Sequence, residues 1–342
     1  MHNILVCQTG AWIGDMVMMT PALRALKRTY PKSDLTLLLR PRVAGLMQTH
    51  PYVDTCIVDN KTEVPYRSLK SLVHQIRDKK FDIAVILHPT SFRNALLPFL
   101  ARVPRRIGTK VGGRGMLLTL SCEDNTEIHE VHRYLRVLQL LNIDTVSSFL
   151  EFWHTDADRQ FIEHLLRTEG VLPHDRIIAL NLGTTWTTKQ WNILNFADVI
   201  QRIAYLTPEI KIVLTGSSTE QKLAKALPTL LSAINLVGKT DILQLGALLE
   251  RCDVCLTCDS GPMHIAAAVG TPTVALFGPT NPVRHEPYGT GHTVVEKPVS
   301  CRPCYKQTCH RQDAPHLCMK EIGATEVVSA LESSLRQRAC IA

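Results

Sequence analysis

The feature that most constrains the fold is a repeated alternation of short apolar runs and segments with helical spacing. Runs such as 4–8 and 177–182 are rich in Val, Ile and Leu, and helix-like segments follow them. Apolar strands separated by helices are typical of parallel sheets that are covered on both faces. The further predicted strands are 35–39, 81–87, 212–215, 234–237, 254–258 and 273–277, and the predicted helices are 16–29, 196–205, 242–251 and 262–269.

The alternation stops near residue 150 and begins again at Arg176. A helical segment at 154–169 and the turn sequence at 170–173 lie between the two halves. A chain of 342 residues is long enough for two domains of ordinary size. We therefore predict two doubly wound, Rossmann-like α/β domains that face a central cleft at the carboxyl ends of their strands. The predicted bounds are 1–155, 156–325, and a C-terminal helix at 326–342 that packs back on the first domain.

The composition excludes several classes of protein. Hydrophobic residues make up 45% of the chain, which is too many for a disordered or collagen-like protein. No apolar run reaches the roughly 18–20 residues of a membrane-spanning helix. The first residues read as a strand and not as a secretory signal, and several of the eleven cysteines lie inside apolar runs. We expect a cytoplasmic protein.

The net excess of positive charge lies entirely in the first half. Residues 1–150 hold 20 basic and 12 acidic residues, whereas residues 151–342 hold 18 and 19. Such an excess suits an anionic partner, such as a nucleic acid, an acidic lipid surface or a phosphorylated substrate, and it also suits ordinary solubility. No basic stripe with interleaved aromatic residues is present, so nucleic-acid binding is not supported.

The loop after the first strand, at 9–15, contains two glycines and ends at Asp15. It lacks the G-x-G-x-x-G pattern, so NAD binding is poorly supported. Asp15 suits the cap of the following helix, and it equally suits an ionised carboxylate that accepts a proton at the end of the strand. The two roles are compatible, because a helix amino terminus keeps a carboxylate charged.

A second loop, at 183–189, follows the first strand of the second half. Its hydroxyls, Thr184 and Thr185, and its cation, Lys189, suit a phosphate, although the spacing is not that of a P-loop. A solvated loop beside packed tryptophans is the alternative.

A third loop, at 258–264, follows another predicted strand, and Pro262 suits the first turn of a helix. The amides of Ser260 and Gly261 would then face an anion such as a diphosphate. Asp259 more plausibly orients the loop or accepts a hydrogen bond from a sugar hydroxyl. A histidine at the place of His264 is more often packed than catalytic.

Two groups of cysteines stand out. Four lie within eighteen residues, at Cys301, Cys304, Cys309 and Cys318, which is compatible with a tetrahedral zinc site. The spacing matches no common zinc module, so free thiols or a disulfide are the alternatives. The triplet at 252, 255 and 258 runs into a strand, and we interpret it as core.

Several of these segments together resemble glycosyltransferase family 9, the lipopolysaccharide heptosyltransferases. Segments 14–23 and 259–268 resemble the family's signatures, and 275–280 and 189–191 fit the same pattern. The resemblance covers nearly the whole chain. Segment 91–99 is more similar to the second heptosyltransferase of the inner core than to the first.

The resemblance implies a GT-B fold and an inverting transfer of heptose from ADP-heptose to the heptosyl-Kdo inner core of lipid A. It implies neither a cofactor nor a metal. By resemblance, the base is Asp15. The first group of diphosphate contacts is Lys189, Thr184 and Thr185, and the second donor loop holds Asp259, Ser260, Gly261 and His264. Weaker candidates for adenine contacts are Glu220 and Thr240.

The resemblance also gives the basic first half a role. The acceptor carries phosphates and sugar carboxylates and lies in an anionic bilayer, so we expect a peripheral protein at the inner face of the inner membrane. The expected acceptor contacts form a flexible cationic loop of Arg93, Arg105, Arg106, Lys110 and Arg114. The alternatives are transfer to another core position, a nucleotide-sugar epimerase of the same architecture, and a sugar-nucleotide sensor without turnover.

Overall fold

The computed structural model describes residues 2–47, 50–61, 65–228 and 232–339. The chain divides into two compact units, Met1–Glu151 and Phe152–Ala342. Each unit contains one parallel six-stranded sheet with helices packed against it. The predicted fold class, two doubly wound α/β domains, is confirmed, and the observed division falls four residues before the predicted one.

The sheet of the first unit has the strand order β3-β2-β1-β4-β5-β6, which is the order of Rossmann-like folds. Its strands are β1 (Asn3–Cys7), β2 (Asp34–Leu39), β3 (Thr55–Val58), β4 (Ile83–Ile86), β5 (Arg105–Thr109) and β6 (Leu120–Cys122). Its helices are α1 (Ile13–Met18), α2 (Thr20–Thr29), α3 (Pro41–Met47), α4 (Pro65–Asp78), α5 (Phe92–Leu100) and α6 (Glu130–Gln139), with a 3₁₀ turn at Arg114–Leu117.

The sheet of the second unit has the order β12-β11-β10-β7-β8-β9, which repeats the topology of the first. Its strands are β7 (Ile177–Asn181), β8 (Lys211–Thr215), β9 (Ile234–Asn235), β10 (Val254–Cys258), β11 (Thr273–Phe277) and β12 (Thr293–Glu296). Its helices are α7 (Asp156–Thr168), α8 (Ile193–Leu206), α9 (Gln221–Lys225), α10 (Ile242–Arg251), α11 (Gly261–Ala268), α12 (Pro282–His285), α13 (Leu317–Lys320) and α14 (Ala324–Ala339), with 3₁₀ turns at Thr187–Lys189 and Ser218–Glu220.

The predicted helix 16–29 is two helices in the structure. The first ends at Met18, and the second begins at Thr20 with Pro21 in its first turn. A proline has no amide hydrogen to donate to the preceding turn, so it interrupts one helix and suits the start of the next. The break brings the short helix α1, which contains Asp15, to the end of β1 as a separate element.

The C-terminal helix belongs to the second unit. Val327 and Leu331 of α14 are fully buried in the core of that unit, and the helix packs on α8 and on the sheet. The carbonyl of Leu335 accepts a hydrogen bond from Arg176 at 3.0 Å. The apolar stripe of the described part of the helix is thus buried beside β10 and β11, and the packing of 326–342 on the first domain stays a prediction. Residues 340–342 lie outside the described residues.

No helix in the described part of the chain is both long enough and apolar enough to span a bilayer.

Truncation of a buried side chain on α14 tests this placement. We expect Leu331→Ala to lower the free energy of unfolding of the second unit by about 2–5 kcal/mol, because it leaves a cavity in the core. Hydrogen exchange of the amides in β7, β10 and β11 measures that unit by itself. Gln337→Ala, on the exposed side of the same helix, should leave the exchange unchanged. Equal protection in the two variants would contradict the packing.

Candidate functional site

In both units, the residues that the sequence singles out lie mainly in loops after the carboxyl ends of strands. Because the strands of each sheet are parallel, these loops gather at one edge of that sheet. In the second unit they follow β7, β8, β9, β10 and β11. In the first unit, Asp15 follows β1, whereas the basic residues are distributed differently.

Asp15 is the third residue of α1 and is half-buried. The helix begins after Trp12, so Asp15 lies within the first turn and does not occupy the cap position. Its carboxylate lies against Gly10, where a Cβ atom would come within 2.5 Å of Oδ2. Gly10 therefore provides the space for this carboxylate at the end of β1.

The surroundings of Asp15 include polar residues that sequence reasoning missed. The Gln8 side chain accepts a hydrogen bond from the Gly10 amide at 3.0 Å and donates one to the Tyr134 hydroxyl at 3.3 Å. Burial raises the pKa of Tyr134 well above its usual value, and the charge of Asp15 raises it further. The phenol is therefore neutral near pH 7. The one sequence signal was a polar residue, Gln8, directly after an apolar strand.

Two of the arginines that were predicted to contact the acceptor are instead bound to other groups of the first unit. Arg93 binds the buried carboxylate of Asp59, with Nε 2.8 Å from Oδ2. Burial would raise the pKa of Asp59, but hydrogen bonds and charge from Arg93 outweigh it and lower that pKa. Arg114 is fully buried and donates to the carbonyls of Thr109 and His88 at 2.8 and 2.7 Å. Arg114 thus fixes the end of β5. The segment predicted as a flexible loop contains a 3₁₀ turn that the hydrogen bonds of Arg114 hold in place.

The other three predicted acceptor contacts lie at two different edges. Arg105 and Arg106 are the first two residues of β5, level with the start of β4. A five-residue strand spans roughly 13 Å, so the structure does not bring them together with Asp15. Lys110 follows the carboxyl end of β5 and forms an exposed ion pair with Glu123 at 2.8 Å. Of the five, Lys110 alone is an exposed cation at the edge that carries Asp15.

The centre of the second unit's edge is an ion pair between two predicted residues. Lys189 Nζ lies 2.7 Å from Asp259 Oδ2, and the Thr280 hydroxyl donates to the same oxygen at 2.6 Å. Both charged side chains are largely buried. Burial would raise the pKa of Asp259, but the charge of Lys189 outweighs it and lowers that pKa. The ammonium group also lies 4.4 Å from the centre of the Trp186 ring.

The amino end of α11 lies beside this ion pair. Ser260 is the cap residue, and its side chain makes no hydrogen bond to the first turn. Its hydroxyl instead lies 3.0 Å from the Thr257 hydroxyl and 3.5 Å from the Asn181 amide nitrogen. The helix therefore begins at Gly261 without a side-chain cap, which is an arrangement suited to an anion. His264 is buried in the first turn.

The remaining donor candidates lie along the same edge. Thr184 accepts a hydrogen bond from the Trp186 amide at 3.3 Å, and Thr185 is exposed. The Glu220 side chain packs on Gly183, where a Cβ atom would come within 2.4 Å of it. Thr240 is half-buried in the loop before α10. The structure thus gathers the predicted donor residues on one unit, and no contact in it assigns any of them to an adenine.

The cysteines divide as the sequence suggests. Cys252, Cys255 and Cys258 are fully buried, which confirms their interpretation as core. The four cysteines of the later cluster are free thiols. Within the described residues, no three His, Cys, Asp or Glu side chains are arranged as a metal site.

A double-mutant cycle on Lys189 and Asp259 tests the ion pair in the absence of ligand. We expect Lys189→Met and Asp259→Asn each to destabilise the second unit and to couple by about 3 kcal/mol, because each leaves a buried partner unpaired. The lowered pKa of Asp259 means that this coupling is present at neutral pH and is lost as acid takes the pH below about 4.

The exposed pair Arg202–Asp198, 2.7 Å apart on α8, provides the matched cycle and should show no measurable coupling. Urea denaturation at pH 7 gives both cycles. Equal coupling in the two pairs would contradict a structural role for Asp259.

Known proteins match this chain over most of its length. Glycosyltransferase family 9 (heptosyltransferase) matches residues 69–314. The chain is 30% identical over 298 residues to the lipooligosaccharide heptosyltransferase 2 of Haemophilus ducreyi, covering 80% of this chain and 82% of that protein.

Two solved structures resemble the fold over almost the full length of both chains. A glycosyltransferase family 9 protein from Veillonella parvula is 26% identical, with a TM-score of 0.84 and 98% of each chain covered. The ADP-heptose LPS heptosyltransferase II of E. coli is 23% identical, with a TM-score of 0.78, covering 99% of this chain and 100% of that one. The two units thus have the GT-B architecture, and the chain belongs to glycosyltransferase family 9, the heptosyltransferase family.

Proposed function

We propose that this glycosyltransferase moves heptose from ADP-heptose to the heptosyl-Kdo inner core of lipid A in lipopolysaccharide synthesis, with inversion at the anomeric carbon. The observation that carries the proposal is the pair of Lys189 and Asp259 beside the uncapped amino end of α11. A lysine and a helix amino terminus are the groups that bind a diphosphate in α/β folds. The family and the names of the relatives supply the heptose, the nucleotide and the core.

The diphosphate is the group that the second unit binds. An ammonium group has three donors, so Lys189 can keep its bond to Asp259 and still donate to a phosphate oxygen. The amides of Ser260 and Gly261 add the helix dipole, and the hydroxyls of Thr184 and Thr185 lie in the loop after β7. As the sugar leaves, negative charge grows on the diphosphate, and these fixed donors stabilise it more in the transition state than in the ground state.

Asp15 is the base in this proposal. An acceptor hydroxyl attacks the anomeric carbon as ADP departs, which inverts the configuration, and the Asp15 carboxylate accepts the hydroxyl proton. Gly10 leaves room for the carboxylate, and Asp15 stands at a helix amino end that favours its charged form. The neutral Tyr134 beside it adds no competing negative charge.

The basic and apolar surface near the start of β5 is a membrane contact in this proposal. The Arg106 guanidinium lies 5.4 Å from the exposed ring of Phe99, and Met116 is 80% exposed. Arg105 is exposed beside them. Exposed apolar side chains among cations suit the anionic inner face of the inner membrane, where the lipid acceptor lies. The role proposed for Arg105 and Arg106 is therefore contact with the lipid surface and not with the acceptor sugar.

Replacement of Asp15 tests the base. We expect Asp15→Asn to lower kcat at least about 100-fold, because the amide cannot accept the proton, while ADP affinity stays nearly unchanged. Single-turnover transfer and calorimetric ADP titration measure the two quantities. Asp34→Asn, at the amino-terminal start of β2, is the matched control and should keep full activity. A weakened ADP affinity with unchanged kcat would refute the role of base.

The acceptor is tested with lipid A cores that carry zero or one heptose. We expect transfer only to the core with one heptose, with a product heavier by one heptose, and ADP release only when acceptor is present. Mass spectrometry and an ADP assay give both results. Transfer only to the heptose-free core would overturn the assignment to the second heptosyltransferase. ADP release without acceptor would favour an epimerase, and ADP-heptose binding without any release would favour a sensor.

A further inference from the structure

The long irregular stretch from the end of β12 to Cys318 has no role in the proposed sugar transfer. We call residues 297–318 the cysteine segment. Residues 297–316 of it contain neither helix nor strand, and an irregular stretch of that length inside a compact unit usually has a specific function. Four cysteines and two histidines of the segment line one pocket, namely Cys301, Cys304, Cys309, Cys318, His310 and His316.

Hydrogen-bond donors lie beside two of the four sulfur atoms. The His316 amide donates a hydrogen bond to Cys309 Sγ at 3.3 Å. The Arg311 guanidinium, which donates to Asp313, also lies near the Cys301 thiol. Amide and guanidinium donors of this kind stabilise a thiolate, which is the form that binds metals.

The cysteine segment is also hydrogen-bonded to two loops of the second unit, the loop after β7 and the loop after β11. The hydroxyls of Thr188 and Thr187 donate to the carbonyls of Lys306 and Gln307 at 2.7 and 3.1 Å. These contacts fix the turn that carries Lys189.

The loop after β11 is held by the residues of the segment that directly precede Lys306. The amides of Cys304 and Tyr305 donate to the Pro279 carbonyl at 2.9 and 3.0 Å. Arg302 donates to the carbonyls of Gly278 and Thr280. Thr280 in turn donates to Asp259. The segment therefore contacts the turn that carries Lys189 and, through Thr280, is linked to Asp259.

We propose that the thiols of Cys301, Cys304, Cys309 and Cys318 bind one thiophilic divalent ion, zinc or iron(II), which fixes the cysteine segment against the donor loops. Four thiolates within one short segment are a ligand set that these ions prefer. Rotation about Cα–Cβ redirects each sulfur among three staggered positions without moving the backbone. Within the described residues the thiols are not arranged as a metal site, but all four line one pocket, so metal binding requires their side chains to turn toward it.

Metal content tests the site directly and does not depend on the proposed function. The untagged full-length protein, purified without chelator, should contain about one equivalent of zinc or iron by mass spectrometry of the elements. The apoprotein should develop the absorption bands of tetrahedral thiolate coordination when cobalt(II) is added. Cys304→Ser and Cys318→Ser should abolish both signals, whereas Cys56→Ser and Cys122→Ser, two half-buried cysteines of the first unit, should keep them.

Two results would overturn the metal site. One is less than about a tenth of an equivalent of metal together with no cobalt bands. The other is a disulfide between any two of the four cysteines in protein purified under reducing conditions, seen as a mass deficit of the peptide.

The fixing role has a separate readout. Removal of the metal should weaken ADP binding at least about tenfold and lower the Tm, and restoring zinc should reverse both changes. If the protein binds one equivalent of metal but its ADP affinity and Tm do not change when the metal is removed, the fixing role is overturned and the metal site stands. If the metal-loaded protein binds no ADP at all, the proposed donor fails while the metal result stands.

Discussion

The buried carboxylate of Asp259 is the group on which the second unit's edge depends. A buried charge is costly unless it is paired and hydrogen-bonded. Asp259 meets this condition through Lys189 from the loop after β7 and Thr280 from the loop after β11. Since all three loops leave the same sheet edge, the pairing holds them in one arrangement before any ligand binds.

The pairing also determines how Lys189 can act. A free lysine would lose the freedom of a long side chain when it bound a phosphate, whereas Lys189 is already held by Asp259 and by the face of Trp186. Asp259 cancels part of its charge, so the amino end of α11 becomes important for binding an anion. The first unit holds its own charged group differently. Asp15 is placed by the space that Gly10 leaves at the end of β1.

The sequence predicted what depends on local pattern. Strands β7, β10 and β11 are buried on both faces, and their continuous apolar runs revealed them, together with the loops that follow. The short strands β3 and β6 are only partly buried, so their composition carried little signal. Arg105 and Arg106 are near glycines in sequence, but β5 itself separates them from the loop, which composition could not show.

Contacts between distant residues could not be predicted. Gln8 and Tyr134 are 126 residues apart, and Arg93 and Asp59 are 34 apart, so no spacing rule connects them. The role of Asp259 as the partner of Lys189 is of the same kind. The burial of α14 in the second unit depends on which groove is left beside β10 and β11 after the sheet has formed.

The most direct test of the account is a crystal structure of the protein with ADP. The diphosphate should lie at the amino end of α11, with a phosphate oxygen about 3 Å from Lys189 Nζ and with the Lys189–Asp259 pair intact. ADP bound elsewhere, or a diphosphate that makes no contact with Lys189 or with the first turn of α11, would contradict the central claim.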